Sequence, residues 1–184
     1  SDDRQTISSL LSRRGADVIL VSGGTSVGTE DHAPTLVSEL GELVFHGVAM
    51  RPSSPTGIGR VGDSLIFLLP GNPVSCLAAY DVFAGEVVRK MSGMSPDWPY
   101  MRLEAILDDK IASDIGRLDY CRVAISEDDT TISPLSISGA SILSSTTRAD
   151  GFVLVPPELE GYAAGRTIQA WRYDRQRPDR GDPK

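Results

Sequence analysis

The residues best placed to do chemistry lie in Leu69-Pro70-Gly71-Asn72-Pro73-Val74-Ser75. This segment closes an apolar run, Ser64 to Leu69, and opens a helix-like stretch from Val74 to Met91. A strand, a tight Pro-Gly turn and a helix N-terminus leave backbone N–H groups without intrahelical partners. The helix dipole adds positive potential there, which makes an anion site. Asn72 as cap and Pro73 at the first helical position also suit an ordinary strand-to-helix turn. A second turn of the same kind lies upstream. Ala16 to Val21 reads as a buried parallel strand running into Ser22-Gly23-Gly24-Thr25-Ser26-Val27-Gly28, then Thr29-Glu30-Asp31. Its glycines and hydroxyl residues suit a backbone that wraps a phosphate closely. The glycine spacing fits neither a Walker loop nor a dinucleotide fingerprint. Two such turns at the carboxyl ends of buried strands mark the place where open α/β sheets bind ligands.

The elements that position these turns follow from punctuation and periodicity. Asp3 to Arg14 carries Ile7, Leu10 and Leu11 at helical spacing, and a strand follows over Asp17 to Val21. A helix is expected from about Ala33 to Leu40, then a strand over Leu43 to Val48. Thr56 to Val61 and Ser64 to Leu69 pair as a hairpin across Gly62-Asp63. The helix opened by Pro73 runs to near Gly93, and Ser92 to Pro99 reads as a linker. Beyond Tyr100 the pattern becomes short alternating strands: Met101–Leu107, Tyr120–Ser126, Thr130–Leu135, Gly151–Pro156 and Thr167–Tyr173. The expected architecture is an α/β domain over 1–95, with a mostly parallel sheet and flanking helices, then a small all-β domain over 100–174. The charged tail 175–184 is expected to be disordered.

The chain has 184 residues and a formal net charge of −7, which argues against nucleic acid as a general partner. No apolar stretch is long enough to span a bilayer and no signal peptide is visible, so no membrane partner is expected. Cys76 and Cys121 form neither a metal nor a disulfide pattern, which points to reduced thiols and the cytoplasm. An anionic ligand on an acidic protein requires local donors, namely backbone N–H groups and a few arginines.

Between the two turns lies Phe45-His46-Gly47-Val48-Ala49-Met50-Arg51-Pro52-Ser53-Ser54-Pro55. The order SGGTSVG…D, HGVAMRP..P, LPGNPVS over Asp17 to Gly93 resembles the molybdopterin molybdenumtransferase family, the MoeA-type proteins of bacteria and the E domain of gephyrin. A weaker likeness continues through Gly116 to Arg122 and Arg148 to Gly151. The resemblance implies a molybdopterin-binding-like α/β domain, here lacking its first strand and helix, followed by the family's C-terminal β-domain. Family members carry two further domains upstream, so the chain reads as a fragment, inactive alone, of a homodimeric enzyme.

The implied activity belongs to molybdenum cofactor biosynthesis: molybdate is inserted into adenylylated molybdopterin (molybdopterin-AMP) with release of AMP, assisted by Mg2+ or another divalent cation. Ser22, Gly23, Gly24, Thr25, Ser26, Gly28, Pro70, Gly71, Asn72 and Pro73 would hold the cofactor. Asp31 matches the family's essential acidic residue and would be catalytic and hold the metal. Its structural alternative is capping of the following helix. Glu30 and Asp63 are further carboxylate candidates. Molybdate, a tetrahedral dianion, would meet Arg51, Ser54, Pro55, Ser75, Arg122 and Ser141. The chain departs from the family's K-P-x-K-P stretch: Arg51 replaces the first lysine and Ser54 the second, so one cation is lost unless Arg117 or Arg122 compensates. His46 reads as a packing residue. Molybdopterin adenylyltransferase and apo-molybdoenzymes are the implied protein partners. Two rival functions are a molybdopterin adenylyltransferase and a non-catalytic cofactor-binding or scaffold protein. The first would carry a Gly-Gly-Thr-Gly loop where this chain has Gly24-Thr25-Ser26, and would lack the β-domain.

Overall fold

The computed structural model describes residues 3–25, 31–135 and 148–173. Ser26, Gly28, Glu30, Ser141 and the tail 174–184 therefore lie outside the described residues. The chain forms two compact units, Ser1–Trp98 and Pro99–Lys184.

The first unit begins with α1 (Arg4–Leu11), whose N-cap Asp3 accepts a hydrogen bond from Thr6 N at 2.8 Å. It continues through β1 (Val18–Ser22), α2 (Ala33–Leu40), β2 (Glu42–His46), a two-residue extended segment β3 (Met50–Arg51), β4 (Gly57–Val61) and β5 (Ser64–Leu69). The long helix follows in three parts: α3 (Pro73–Ala79), a π-helical stretch (Tyr80–Ala84) and α4 (Gly85–Met91). The strand order in the sheet is β1-β5-β4-β2. β5 divides the core by strand alternation. Ile66 and Leu68 pack with Leu11, Ala33, Leu36 and Val37, whereas Phe67 and Leu69 pack with Ala79 and Ala84 of the long helix.

The expectation of a mostly parallel sheet is corrected. β1 and β5 run parallel, but β4 is antiparallel to both β5 and β2. The hairpin turn at Gly62-Asp63 forces one reversal, with Gly62 at φ +59°. The return from β2 to β4 forces the other. Continuous apolar, β-branched composition marked β1 as a parallel strand and says nothing about strands that reach their neighbours by short turns.

The second unit contains β6 (Met101–Leu107), β7 (Ile111–Ala112), β8 (Leu118–Ile125), β9 (Thr131–Pro134), β10 (Gly151–Val155), β11 (Gly161–Tyr162) and β12 (Thr167–Arg172). Five strands pair in the order β10-β12-β6-β9-β8, and β8 pairs back to β10, which closes a small barrel. The β6–β9 pairing is parallel; the other pairings of the ring are antiparallel. Its interior holds Leu107, Val123, Ile132, Val153, Val155 and Ala170. The alternate positions carry aromatic rings. Phe152 stacks on Tyr120 at 4.2 Å and on Trp171 at 5.2 Å between ring centres. β7 and β11 form a separate two-stranded ribbon.

Candidate functional site

The two turns singled out in the sequence lie side by side. The parallel register sets Ser22 against Leu69, so both chains leave the sheet at the same carboxyl edge. Gly23 N–H donates to Leu69 O at 3.2 Å. A Cβ placed on Gly71 would stand 3.1 Å from Gly23 Cα, so the turns meet backbone to backbone. Gly23 and Gly24 have φ +85° and +61°, a region that glycine enters without steric cost. Ala33 N–H donates to Gly24 O at 3.3 Å, which draws the two ends of the connection together.

Side chains here face the protein. Thr25 is 1% exposed and its hydroxyl donates to Leu69 O at 3.0 Å, leaving its backbone as the part that can meet a ligand. His46 Nε2 lies 2.6 Å from Thr25 O. Ser22 Oγ and Cys76 Sγ are 3.5 Å apart. Asp31 is half-buried, and a Cβ added to Gly24 would lie 4.0 Å from its Oδ1. His32 takes the N-cap position of α2, and its side chain makes no capping hydrogen bond.

At the start of α3, Asn72 is the N-cap and its Oδ1 accepts from Val74 N–H at 3.2 Å, with Pro73 in the first turn as expected. Pro70 is buried and Gly71 exposed. The Arg51–Pro55 segment docks on the same helix end through Ser53. That residue is buried at φ +96°, and its hydroxyl donates to Ser75 O at 2.6 Å. Ser53 O in turn accepts from Thr56 Oγ1 at 2.7 Å. Arg51 and Pro55 are half-buried, Ser75 is buried and Ser54 is exposed to solvent. The structure thus gathers Ser22, Gly23, Gly24, Thr25, Asp31, Pro70, Gly71, Asn72 and Pro73 along one edge. Ser53 ties the Arg51–Pro55 segment to Ser75 at the same helix.

Asp63 does not join them. It sits at the opposite end of β5, about 16 Å away by strand rise, and pairs with Arg60 at 3.8 Å. Among the described residues no group of three or more His, Cys, Asp or Glu side chains could hold a metal ion.

Arg122 belongs to the second unit, on β8, in register with Phe152 and 7% exposed. Burial pushes its guanidinium pKa down, opposed by the neighbouring Tyr173 and Tyr120. Arg117 pairs with Asp119 at 3.0 Å and Asp114 at 2.6 Å, and Asp119 also accepts from Ser113 Oγ at 2.8 Å. Two carboxylates therefore meet the Arg117 charge.

His46 and Ser53 were not singled out as functional from sequence. The His46-Gly47 pair after an apolar run was the available signal for the first. For Ser53 there was none, because serine does not advertise a left-handed backbone.

Comparisons with known proteins place this geometry. Residues 1–90 match the family model described as "Probable molybdopterin binding domain", and residues 104–173 match the "MoeA C-terminal region (domain IV)". Molybdopterin molybdenumtransferase 2 of Mycobacterium tuberculosis is 30% identical over 92% of this chain and 44% of its own length. Molybdopterin molybdenumtransferase of Bacillus subtilis is 28% identical over 83% of this chain and 36% of its own. The crystal structure of the molybdopterin biosynthesis MoeA protein from Pyrococcus horikoshii superimposes with a TM-score of 0.76 at 28% identity, covering 94% of this chain and 42% of that one. The chain thus spans well under half the length of these relatives.

Proposed function

Because this chain belongs to the molybdopterin molybdenumtransferase family, the MoeA-type proteins, we propose that it supplies the cofactor-binding and C-terminal β units of an enzyme that inserts molybdate into adenylylated molybdopterin. The observation that carries this reading is the Gly23–Gly71 contact at the carboxyl ends of two parallel strands. It leaves bare backbone beside a helix start, as a phosphate-rich ligand requires.

The backbone of Ser22 to Thr25 and of Pro70 to Pro73 holds the phosphates, and the family resemblance adds Ser26 and Gly28 to the cofactor-binding residues. Arg51, Ser54, Pro55 and Ser75 form the molybdate side, and the family resemblance adds Arg122 and Ser141 as candidate molybdate donors. Asp31 holds a divalent cation. One carboxylate beside a glycine turn fits Mg2+, which keeps several waters and takes substrate phosphate oxygens in place of a full protein cage. When bound, the cation neutralises charge on the phosphoanhydride as it breaks. Water adding to the adenylyl phosphorus would release AMP, and molybdate would take the two dithiol sulfurs of the pterin as one oxo ligand leaves as water with the two thiol protons. Homodimer formation, work beside a molybdopterin adenylyltransferase, delivery to apo-molybdoenzymes and a cytoplasmic site belong to the same reading.

The test is molybdate-dependent AMP release from adenylylated molybdopterin by the protein carrying this chain, wild type against Asp31→Asn. Loss of one catalytic electrostatic contact costs about a hundredfold or more, while a near-isosteric change should alter stability by roughly 1 kcal/mol or less. Full turnover in Asp31→Asn sinks the role of Asp31. Synthesis of the adenylate from ATP without molybdate uptake sinks the reaction.

A further inference from the structure

We propose that His46 is the positioning residue of the glycine-rich turn, holding the Thr25 carbonyl and so fixing where Gly23 and Gly24 present their backbone. The inference rests on the cofactor-binding reading of that turn. A carbonyl only accepts, so Nε2 at 2.6 Å must carry the hydrogen. The topology explains why a residue of β2 can reach a turn that begins at β1. β2 is antiparallel to β4, and β4 to β5, so β2 runs in the same direction as β5 and β1. His46, the last residue of β2, therefore stands on the same carboxyl edge as Ser22 and Leu69. β1 and β2 are the two outer strands of the sheet. The turn leaves β1, crosses the end of β5, where Gly23 N–H and Thr25 Oγ1 bond to Leu69 O, and is met by His46 from the far side.

The strand partner makes room for the ring. His46 pairs in register with Gly57, and a Cβ there would lie 3.1 Å from His46 Cδ2. The imidazole occupies space that a side chain at position 57 would take. Without His46, Thr25 keeps its side-chain bond to Leu69 O but loses the restraint on its carbonyl. The Thr25 carbonyl is then free to turn, and the restraint it passes back through Thr25 to the neighbouring Gly24 carbonyl, which receives Ala33 N–H, weakens.

Two substitutions separate positioning from packing: His46→Met keeps bulk without a donor, and His46→Gln keeps a donor. The readouts are amide hydrogen exchange at Ala33 and at the core residue Ile66 in this chain without ligand, and affinity for molybdopterin. A net hydrogen bond is worth about 1 kcal/mol, so His46→Met should speed Ala33 exchange and weaken molybdopterin binding by about five- to tenfold. Ile66 should be unchanged, and His46→Gln should restore both readouts to within about threefold. The proposal is overturned if His46→Met behaves as wild type at Ala33. It is equally overturned if Ile66 accelerates as much as Ala33, or if His46→Gln is as impaired as His46→Met. If wild-type chain does not bind molybdopterin, the functional reading falls and the exchange measurement still decides the role of His46.

Discussion

The two units handle polar groups in opposite ways. In the α/β unit the candidate site is made of backbone: Gly23 and Gly71 touch, and the hydroxyls of Thr25 and Ser53 are spent on the carbonyls of Leu69 and Ser75. In the β unit charge is carried by side chains. Asp119, 1% exposed, is held by Arg117 and Ser113, and Arg122 is buried among tyrosines. A backbone site is altered by changing shape, whereas a side-chain network is altered by removing a charge. Damage to the first should appear mainly in binding, and damage to the second mainly in stability.

The largest stability effect is expected at Asp119. Asp119→Ala leaves the Arg117 guanidinium facing an emptied pocket, with only the exposed Asp114 as a carboxylate partner. Breaking a buried pair costs up to 3–5 kcal/mol; with Arg117 side-chain exposure of 28%, we expect about 2–3 kcal/mol by urea denaturation. A loss under about 1 kcal/mol would erase the contrast between the units. Next comes Gly71→Ala, whose methyl would press on Gly23 Cα at 3.1 Å. Overpacking against backbone should cost about 1–2 kcal/mol, and molybdopterin affinity should fall by a larger factor than stability alone explains. Unchanged affinity would mean that the Gly23–Gly71 contact is packing and nothing more. The smallest effect belongs to Ser54→Lys. Position 54 is exposed, so a new cation gains about 0.5–1 kcal/mol, two- to fivefold in molybdate affinity, and less as salt is added. Calorimetry giving equal affinities for the two proteins would show that position 54 does not face the anion.

Local pattern carried much of the fold. α2 and β6 have the bounds expected from periodicity, the Gly62-Asp63 hairpin forms, and Asn72-Pro73 opens α3 as cap and first residue. Non-local pairing did not show in the pattern. Alternation marked the strands of the β unit but not that β8 returns to β10 to close the ring, because closure depends on partners and not on the period of any one strand. The π-helical stretch at Tyr80–Ala84 was invisible for a related reason: one extra residue in a turn leaves the apolar spacing on either side intact. At the candidate site, the glycines of the two turns were legible because turn chemistry restricts which residues can serve. The inward turn of the Thr25 hydroxyl was not legible, since serine and threonine read alike whether they face ligand or protein.

Closure of the barrel has a consequence for how the protein is made. β12 is the last strand of the ring in chain order and bonds to both β6 and β10. A nascent chain that has emerged only as far as Gly161 holds the other four strands of the ring with a gap where β12 belongs. Through that gap the edges of β6 and β10 stay open to pairing with any passing strand. In the first unit all four strands of the described sheet have been synthesised by Leu69, and the helix that covers Phe67 and Leu69 follows directly. Synthesis therefore delivers the four paired strands of the first unit well before the barrel can seal. In the interval between the two, the unpaired edges of β6 and β10 are open to pairing with other chains.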